Sequence, residues 1–186
     1  MAQSQATQDR VNDFVIKLAN VNGTGSASAN TMLMKSIFRM GVPVMGKNYF
    51  PSNIQGLPTW YEIRVTKDAY VARSGRVDLM VAMNAETYQK DVREVSPGGF
   101  LIFDSTWPRS AVLARDDITI LGAPLAKICN ENFVGVRNRI LMKNVMYLGL
   151  LAAFPKQLAW VRFPSPAPLQ LPSRVRAEIR RRSMRA

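Results

Sequence analysis

The residues of this chain most closely spaced for chemistry are glycines and hydroxyls. Asn20-Val-Asn-Gly-Thr-Gly-Ser26 sets two glycines two apart, with Ser28 beyond. Placed after a strand and before a helix, such a turn lets the backbone take positive φ and come close to an anion, and the helix N-terminus supplies unpaired N–H groups. Gly23, Thr24, Gly25 and Ser26 are therefore candidates for holding a phosphate-bearing ligand. A tight strand-to-helix turn with Ser26 as N-cap is the alternative. The dinucleotide fingerprint is incomplete, because Ser28 stands where the third glycine belongs. Met45-Gly-Lys47, after the second expected strand, also brings no carboxylate for a ribose hydroxyl. No GKS or GKT follows, which excludes a Walker loop.

Other chemistry is excluded by composition. Histidine is absent, so there is no Ser-His-Asp triad, imidazole base or His-ligated zinc. The single cysteine, Cys129, cannot build a disulfide within the chain, a CxxC pair or an iron–sulfur cluster, and its apolar setting suits an inert core thiol. No catalytic residue and no metal site is expected. Asn53-Ile-Gln-Gly56, ahead of Pro58, is a rigid polar-tipped loop. With Tyr49, Phe50, Ile54 and Leu57 around it, the loop is expected to be covered by a ligand or, in preference, another subunit. Arg64, Lys67, Arg73 and Arg76 form a loose basic group, read as a solvated face or, alternatively, a seat for a phosphate or an acidic partner. Asp104-Ser-Thr106 follows a strand, where a carboxylate either meets a ligand or caps a helix.

The elements that must position these residues alternate. Asp13–Ala19 reads as a buried strand, Ala27–Met40 as a helix stopped by Gly41, and Val42–Val44 as a second strand, together a right-handed βαβ unit. Gly46–Pro58 reads as a loop. Thr59–Val65 alternates, with Tyr61, Ile63 and Val65 toward the core and Trp60, Glu62 and Arg64 opposite. Strands at 77–83, 99–103 and 118–121 and helices at 85–92, 124–130 and 138–151 follow. The fold class is α/β, a Rossmann-like three-layer domain with a mainly parallel sheet, followed by an irregular basic tail.

The formal charge of +12 is unevenly spread: residues 1–153 carry a net of +5 and residues 154–186 a net of +7. The body is thus only mildly basic, and nucleic-acid binding is not expected of it. Polar residues 1–12 lack an apolar signal core, and no apolar run is long enough for a membrane span, so a cytoplasmic protein is expected. The division is residues 1–12 as a flexible N-terminus, 13–153 as the domain, and 154–186 as a Pro/Arg-rich tail.

Three runs in order, Val11-Asn-Asp-Phe-Val through Asn20-Val-Asn-Gly-Thr-Gly-Ser-Ala-Ser-Ala-Asn30, Phe50-Pro-Ser-Asn-Ile-Gln-Gly-Leu-Pro-Thr-Trp-Tyr-Glu-Ile-Arg64 and Asp78-Leu-Met-Val-Ala-Met-Asn84, resemble the gamma domain of 2-oxoacid:ferredoxin oxidoreductases. The similarity is greatest to the 2-oxoglutarate type, whose alpha subunit fuses gamma and alpha regions. The resemblance implies oxidative decarboxylation of a 2-oxoacid, acyl transfer to coenzyme A and electron transfer to ferredoxin. It implies thiamine diphosphate and an iron–sulfur cluster in the complex, neither held by this chain alone. The implied partners are the beta subunit, the missing alpha region and, through the complex, ferredoxin, with no nucleic acid and no membrane. Gly23, Thr24, Gly25, Ser26, Asn53, Gln55 and Gly56 become candidates for contact with coenzyme A or a neighbouring subunit. The similarity is expected to run from about Val11 to Ala153. The composition switch after it suggests a fragment end or aberrant coding, and a chain inactive on its own.

Overall fold

The computed structural model describes residues 12–50, 54–69, 72–108 and 111–153. The expected tail at 154–186 and the N-terminal residues up to 11 lie outside the described residues.

Strand β1 (Phe14–Val21) is the centre of the molecule. Its alternate side chains Phe14, Ile16 and Leu18 enter one apolar cluster, and Ala19 enters a second on the opposite face. Helix α1 (Ser26–Arg39) follows the glycine turn. It ends where Gly41, at φ +79°, reverses the chain and bonds back to the Phe38 carbonyl at 2.9 Å. Strands β2 (Val44–Tyr49) and β3 (Pro58–Val65) then form an antiparallel hairpin. Strand β4 (Leu79–Ala82), helix α2 (Tyr88–Glu94), strand β5 (Phe100–Asp104), strand β6 (Thr119–Ala123), helix α3 (Leu125–Asn132) and helix α4 (Val136–Ala153) complete the order.

The six strands lie in the order β2-β3-β1-β4-β5-β6. Strands β1, β4, β5 and β6 are parallel, and β3 is antiparallel to both of its neighbours. Residues of α1, α3 and α4 pack in the first cluster with Tyr61, Ile63 and Val65. Val92 and Val95 pack in the second with Trp60 and Met80. The sheet is thus sandwiched between helices, which is why its central strands read as continuous apolar runs.

Three expectations change. The second strand runs over Val44–Tyr49 instead of Val42–Val44 and takes the start of the supposed 46–58 loop, because Gly46, Lys47 and Asn48 pair with Ile63, Glu62 and Tyr61. Strands β1 and β2 are not neighbours. Strand β3 lies between them, so the βαβ unit is split. The basic group is partly paired rather than loose, although Lys67 stays exposed. Arg64 pairs with Asp13, Arg73 with Glu62 at 3.3 Å, and Arg76 with Asp78 at 2.9 Å. Lys17, inside the apolar run of β1, is only 4% exposed because Glu94 pairs with it on the α2 side. A cation this deep needs its partner to offset desolvation.

Candidate functional site

The glycine turn is held from two sides by segments remote in sequence. A Cβ built on Gly23 would collide with Cγ of Gln55, and one on Gly25 would meet Leu141 Cδ2 at 2.7 Å. Both glycines have positive φ, +86° and +79°. Their lack of a side chain therefore serves backbone shape and close approach together. The Asn22 N–H donates to the Leu57 carbonyl at 2.8 Å, and the Gly56 N–H donates to the Asn22 carbonyl at 3.0 Å. Asn22 Nδ2 adds a third bond, to the Ile54 carbonyl at 3.1 Å. On the other flank Asn144 Nδ2 donates to the Thr24 carbonyl at 2.8 Å. The Thr24 hydroxyl turns inward, to the Val21 carbonyl at 2.8 Å.

Two candidate segments, the turn and the Gln55–Gly56 loop, are thus one structure. Asn53 lies outside the described residues. Gly23, Gly25 and Ser26 border a cleft of about 220 Å³, whose other walls include Asn22, Asn30, Asn48, Phe50 and Thr59. Thr24 and Gly56 support this wall but are not part of the cleft lining. Ser26 does not act as N-cap. That position belongs to Gly25, which supplies no side-chain cap, and no acidic residue occupies the first turn of α1. The first N–H groups of a helix without a cap seek an outside acceptor, and the helix dipole favours an anion there.

Sequence reasoning missed Asn30 and Asn48. Asn30 is one helical turn past Ser26, a four-residue spacing that puts both on one face, and this could have been read. It is 2% exposed, and its Oδ1 accepts from the buried Tyr147 hydroxyl at 2.8 Å. Asn48 gave no signal because its segment read as loop rather than strand. Phe50, Ile54 and Leu57 remain 47%, 64% and 38% exposed, so this chain's described residues leave the loop's apolar surface open.

Asp104 is a cap. Its carboxylate accepts from the Ala126 N–H at 3.2 Å, at the start of α3, and from the Thr106 hydroxyl at 2.6 Å. Thr106 Oγ1 accepts in turn from the Lys127 N–H at 2.9 Å. Cys129 is buried with its Sγ 3.2 Å from Met146 Sδ, and burial pushes its thiol pKa up. Among the described residues no three His, Cys, Asp or Glu side chains converge as metal ligands would, and no helix is long and apolar enough to cross a membrane.

Comparison with known proteins gives a consistent picture. The chain is 30% identical over 115 residues to "2-oxoacid:ferredoxin oxidoreductase 2, subunit alpha" of Aeropyrum pernix, covering 62% of this chain and 17% of that protein. The chain therefore spans about a sixth of the length of this curated relative. Its fold is similar to that of 2-oxoglutarate:ferredoxin oxidoreductase from Magnetococcus marinus, solved with 2-oxoglutarate, coenzyme A and succinyl-CoA bound. The TM-score is 0.62 at 17% identity, over 83% of this chain and 34% of that one. It is equally similar to the gamma subunit of a keto/oxoacid ferredoxin oxidoreductase from Geobacter sulfurreducens, with TM-score 0.62 and 15% identity over 78% and 79% of the two chains. These likenesses establish the α/β fold. The family description "Pyruvate ferredoxin/flavodoxin oxidoreductase" matches residues 15–161, so the similarity passes Ala153, where the sequence reading ended it. By that match, across most of its length, the chain belongs to the pyruvate ferredoxin/flavodoxin oxidoreductase family.

Proposed function

We propose that this chain is the gamma-type domain, residues 13–153, of a cytoplasmic 2-oxoacid:ferredoxin oxidoreductase of the 2-oxoglutarate type. In this reading the cleft beside α1 takes the adenosine-phosphate part of coenzyme A. The observation that carries it is the uncapped N-terminus of α1, opening at Gly25 and Ser26 into a cleft edged by amide side chains. Backbone N–H groups there suit a phosphate, Asn30 and Asn48 suit the polar edge of a base, and the exposed Phe50 ring suits its face. The coenzyme A bound in the Magnetococcus marinus relative supports the choice of ligand.

The domain's part in the reaction is then to bind and orient. Binding energy gathered far from the thiol fixes the reacting sulfur without this chain touching the reacting atoms. Thiamine diphosphate and an iron–sulfur cluster supply the carbon–carbon cleavage and electron transfer when bound. By the family resemblance their ligands lie in the alpha region and the beta subunit, and the single Cys129 is too few to ligate a cluster. Ferredoxin meets the complex elsewhere. Coenzyme A titration calorimetry on the reconstituted complex tests the assignment. Gly25→Asp puts a carboxylate at the helix N-terminus and is expected to weaken binding at least tenfold. Equal affinity in wild type and variant rejects the cleft.

A further inference from the structure

We infer that Tyr147 is a positioning residue for the ligand of the cleft beside α1. Its hydroxyl holds the Asn30 side chain with the amide nitrogen toward the cleft, so that this point of the wall selects a hydrogen-bond acceptor. The inference deepens the coenzyme A reading and rests on it, the acceptor then being a ring nitrogen on the edge of the base. Asn30 stands one turn into α1, is almost wholly buried and lines the cleft. An amide side chain can present either its oxygen or its nitrogen, and the two ends have nearly the same shape. Here α4 decides. The Tyr147 hydroxyl donates to Asn30 Oδ1 at 2.8 Å. Tyr147 is fully buried and burial raises its pKa, so the hydroxyl keeps its proton and stays a donor. The Asn20 amide of β1 faces the same hydroxyl and lowers that pKa only in part. A donor on that side directs the phenolic proton toward Asn30. With Oδ1 engaged, Nδ2 is the end left for the cleft, and among the described residues no acceptor meets it. A buried amide nitrogen without an acceptor is costly until a ligand or water supplies one.

The adjoining turn has its acceptors occupied in the same way. The carbonyls of Val21, Asn22 and Thr24 accept from the Thr24 hydroxyl, the Gly56 N–H and Asn144 Nδ2. Asn144 and Tyr147 are three apart on α4, so one face of that helix engages both the Thr24 carbonyl and the Asn30 amide oxygen. What α1 keeps for a ligand is donors: Asn30 Nδ2 and the N–H groups of its uncapped first turn. Packing alone does not call for this hydroxyl. A phenylalanine ring would fill the same core space with no buried O–H to satisfy.

Calorimetry with coenzyme A on the reconstituted complex tests this, with Gly25→Asp run alongside as the check on the cleft itself. Tyr147→Phe is expected to weaken binding about three- to tenfold, and to raise the KM for coenzyme A by the same factor with kcat at saturation unchanged. Asn30→Ala is expected to weaken binding about tenfold or more. Adding Tyr147→Phe to Asn30→Ala then costs no further affinity, because Tyr147 acts through Asn30. Asn30→Asp keeps the acceptor for Tyr147 and exchanges the donor for a carboxylate. Relative to wild type, its affinity is expected to fall about tenfold or more at neutral pH and to recover as acid protonates the new carboxyl, a profile that lost packing does not give. That variant decides the matter should Tyr147→Phe melt early, and a ratio to wild type that stays flat with pH overturns the inference. So does wild-type affinity in Tyr147→Phe, or an equal effect of Tyr147→Phe with and without Asn30. In those cases a weakened Gly25→Asp leaves the coenzyme A cleft standing. Should Gly25→Asp bind as wild type does, the cleft reading fails and this inference fails with it.

Discussion

Asn144 of α4 donates its side-chain amide to the Thr24 carbonyl at 2.8 Å, across 120 positions of sequence. The bend that faces the cleft is therefore shaped from outside itself. Asn144 is 4% exposed, so the bond is shielded from water. Replacing it by Ala leaves the carbonyl short of a partner and is expected to cost about 1–3 kcal/mol. Urea unfolding measures the loss. A variant as stable as wild type refutes the role.

The glycines of the chain separate into two kinds, which a pair of alanine variants distinguishes. Gly25 sits at φ +79° with Leu141 Cδ2 2.7 Å from its would-be Cβ, so Gly25→Ala is expected to destabilise by about 1–2 kcal/mol or more. Gly149 has open space around its would-be Cβ inside α4. Gly149→Ala is expected to stabilise by about 0.5–1 kcal/mol through helix propensity. Thermal melts of the two variants should move in opposite directions.

Asp104 holds the start of α3 by bonds to the Ala126 N–H and, through Thr106, to the Lys127 N–H. Asp104→Ala is expected to cost about 1–2 kcal/mol, the range for losing a helix cap. Hydrogen exchange localises the effect, with amides of Ala126 and Lys127 losing protection first. Uniform loss over the whole sheet would contradict a capping role.

Asp91 lies fully buried, accepting from Trp60 Nε1 at 2.8 Å and from the Thr87 hydroxyl at 2.5 Å. Burial pushes its carboxyl pKa up. The two hydrogen bonds and Lys17 pull it back only in part, while Glu94 adds to the rise. The folded state thus holds this proton more tightly than the unfolded chain. Its contribution is greatest at low pH and declines as pH climbs from the ordinary carboxylate range through the raised value. Asp91→Asn should remove that decline. Denaturation of both proteins across the acid range checks it, and a pH-independent difference between them contradicts it.

Cys129 combines burial with a thiol pKa pushed up by desolvation. Thiolate is the reactive form, so the native chain should resist a thiol reagent that labels it rapidly in denaturant. Prompt labelling of the folded protein would show that the site is open.

Much of this protein is legible in its residues. The apolar runs Phe14–Val21, Leu79–Ala82 and Phe100–Asp104 are strands because their side chains can satisfy two covered faces. Gly23, Gly25 and Gly41 mark bends because the positive φ they adopt disfavours any residue with a Cβ. Those are local conditions, and a sequence states them directly. Pairing is different. That β3 enters between β1 and β2 depends on hydrogen bonds across the sheet, and the residues of β2 carry no alternation that would announce a strand. Arg64, Arg73 and Arg76 read as a loose basic group until folding brought Asp13, Glu62 and Asp78 beside them. The cleft has the same origin. Gly23 and Gly25, the amide of Asn48 in β2, and the side chains of Phe50 and Thr59 meet there because long-range packing, not spacing along the chain, decides which surfaces face one another.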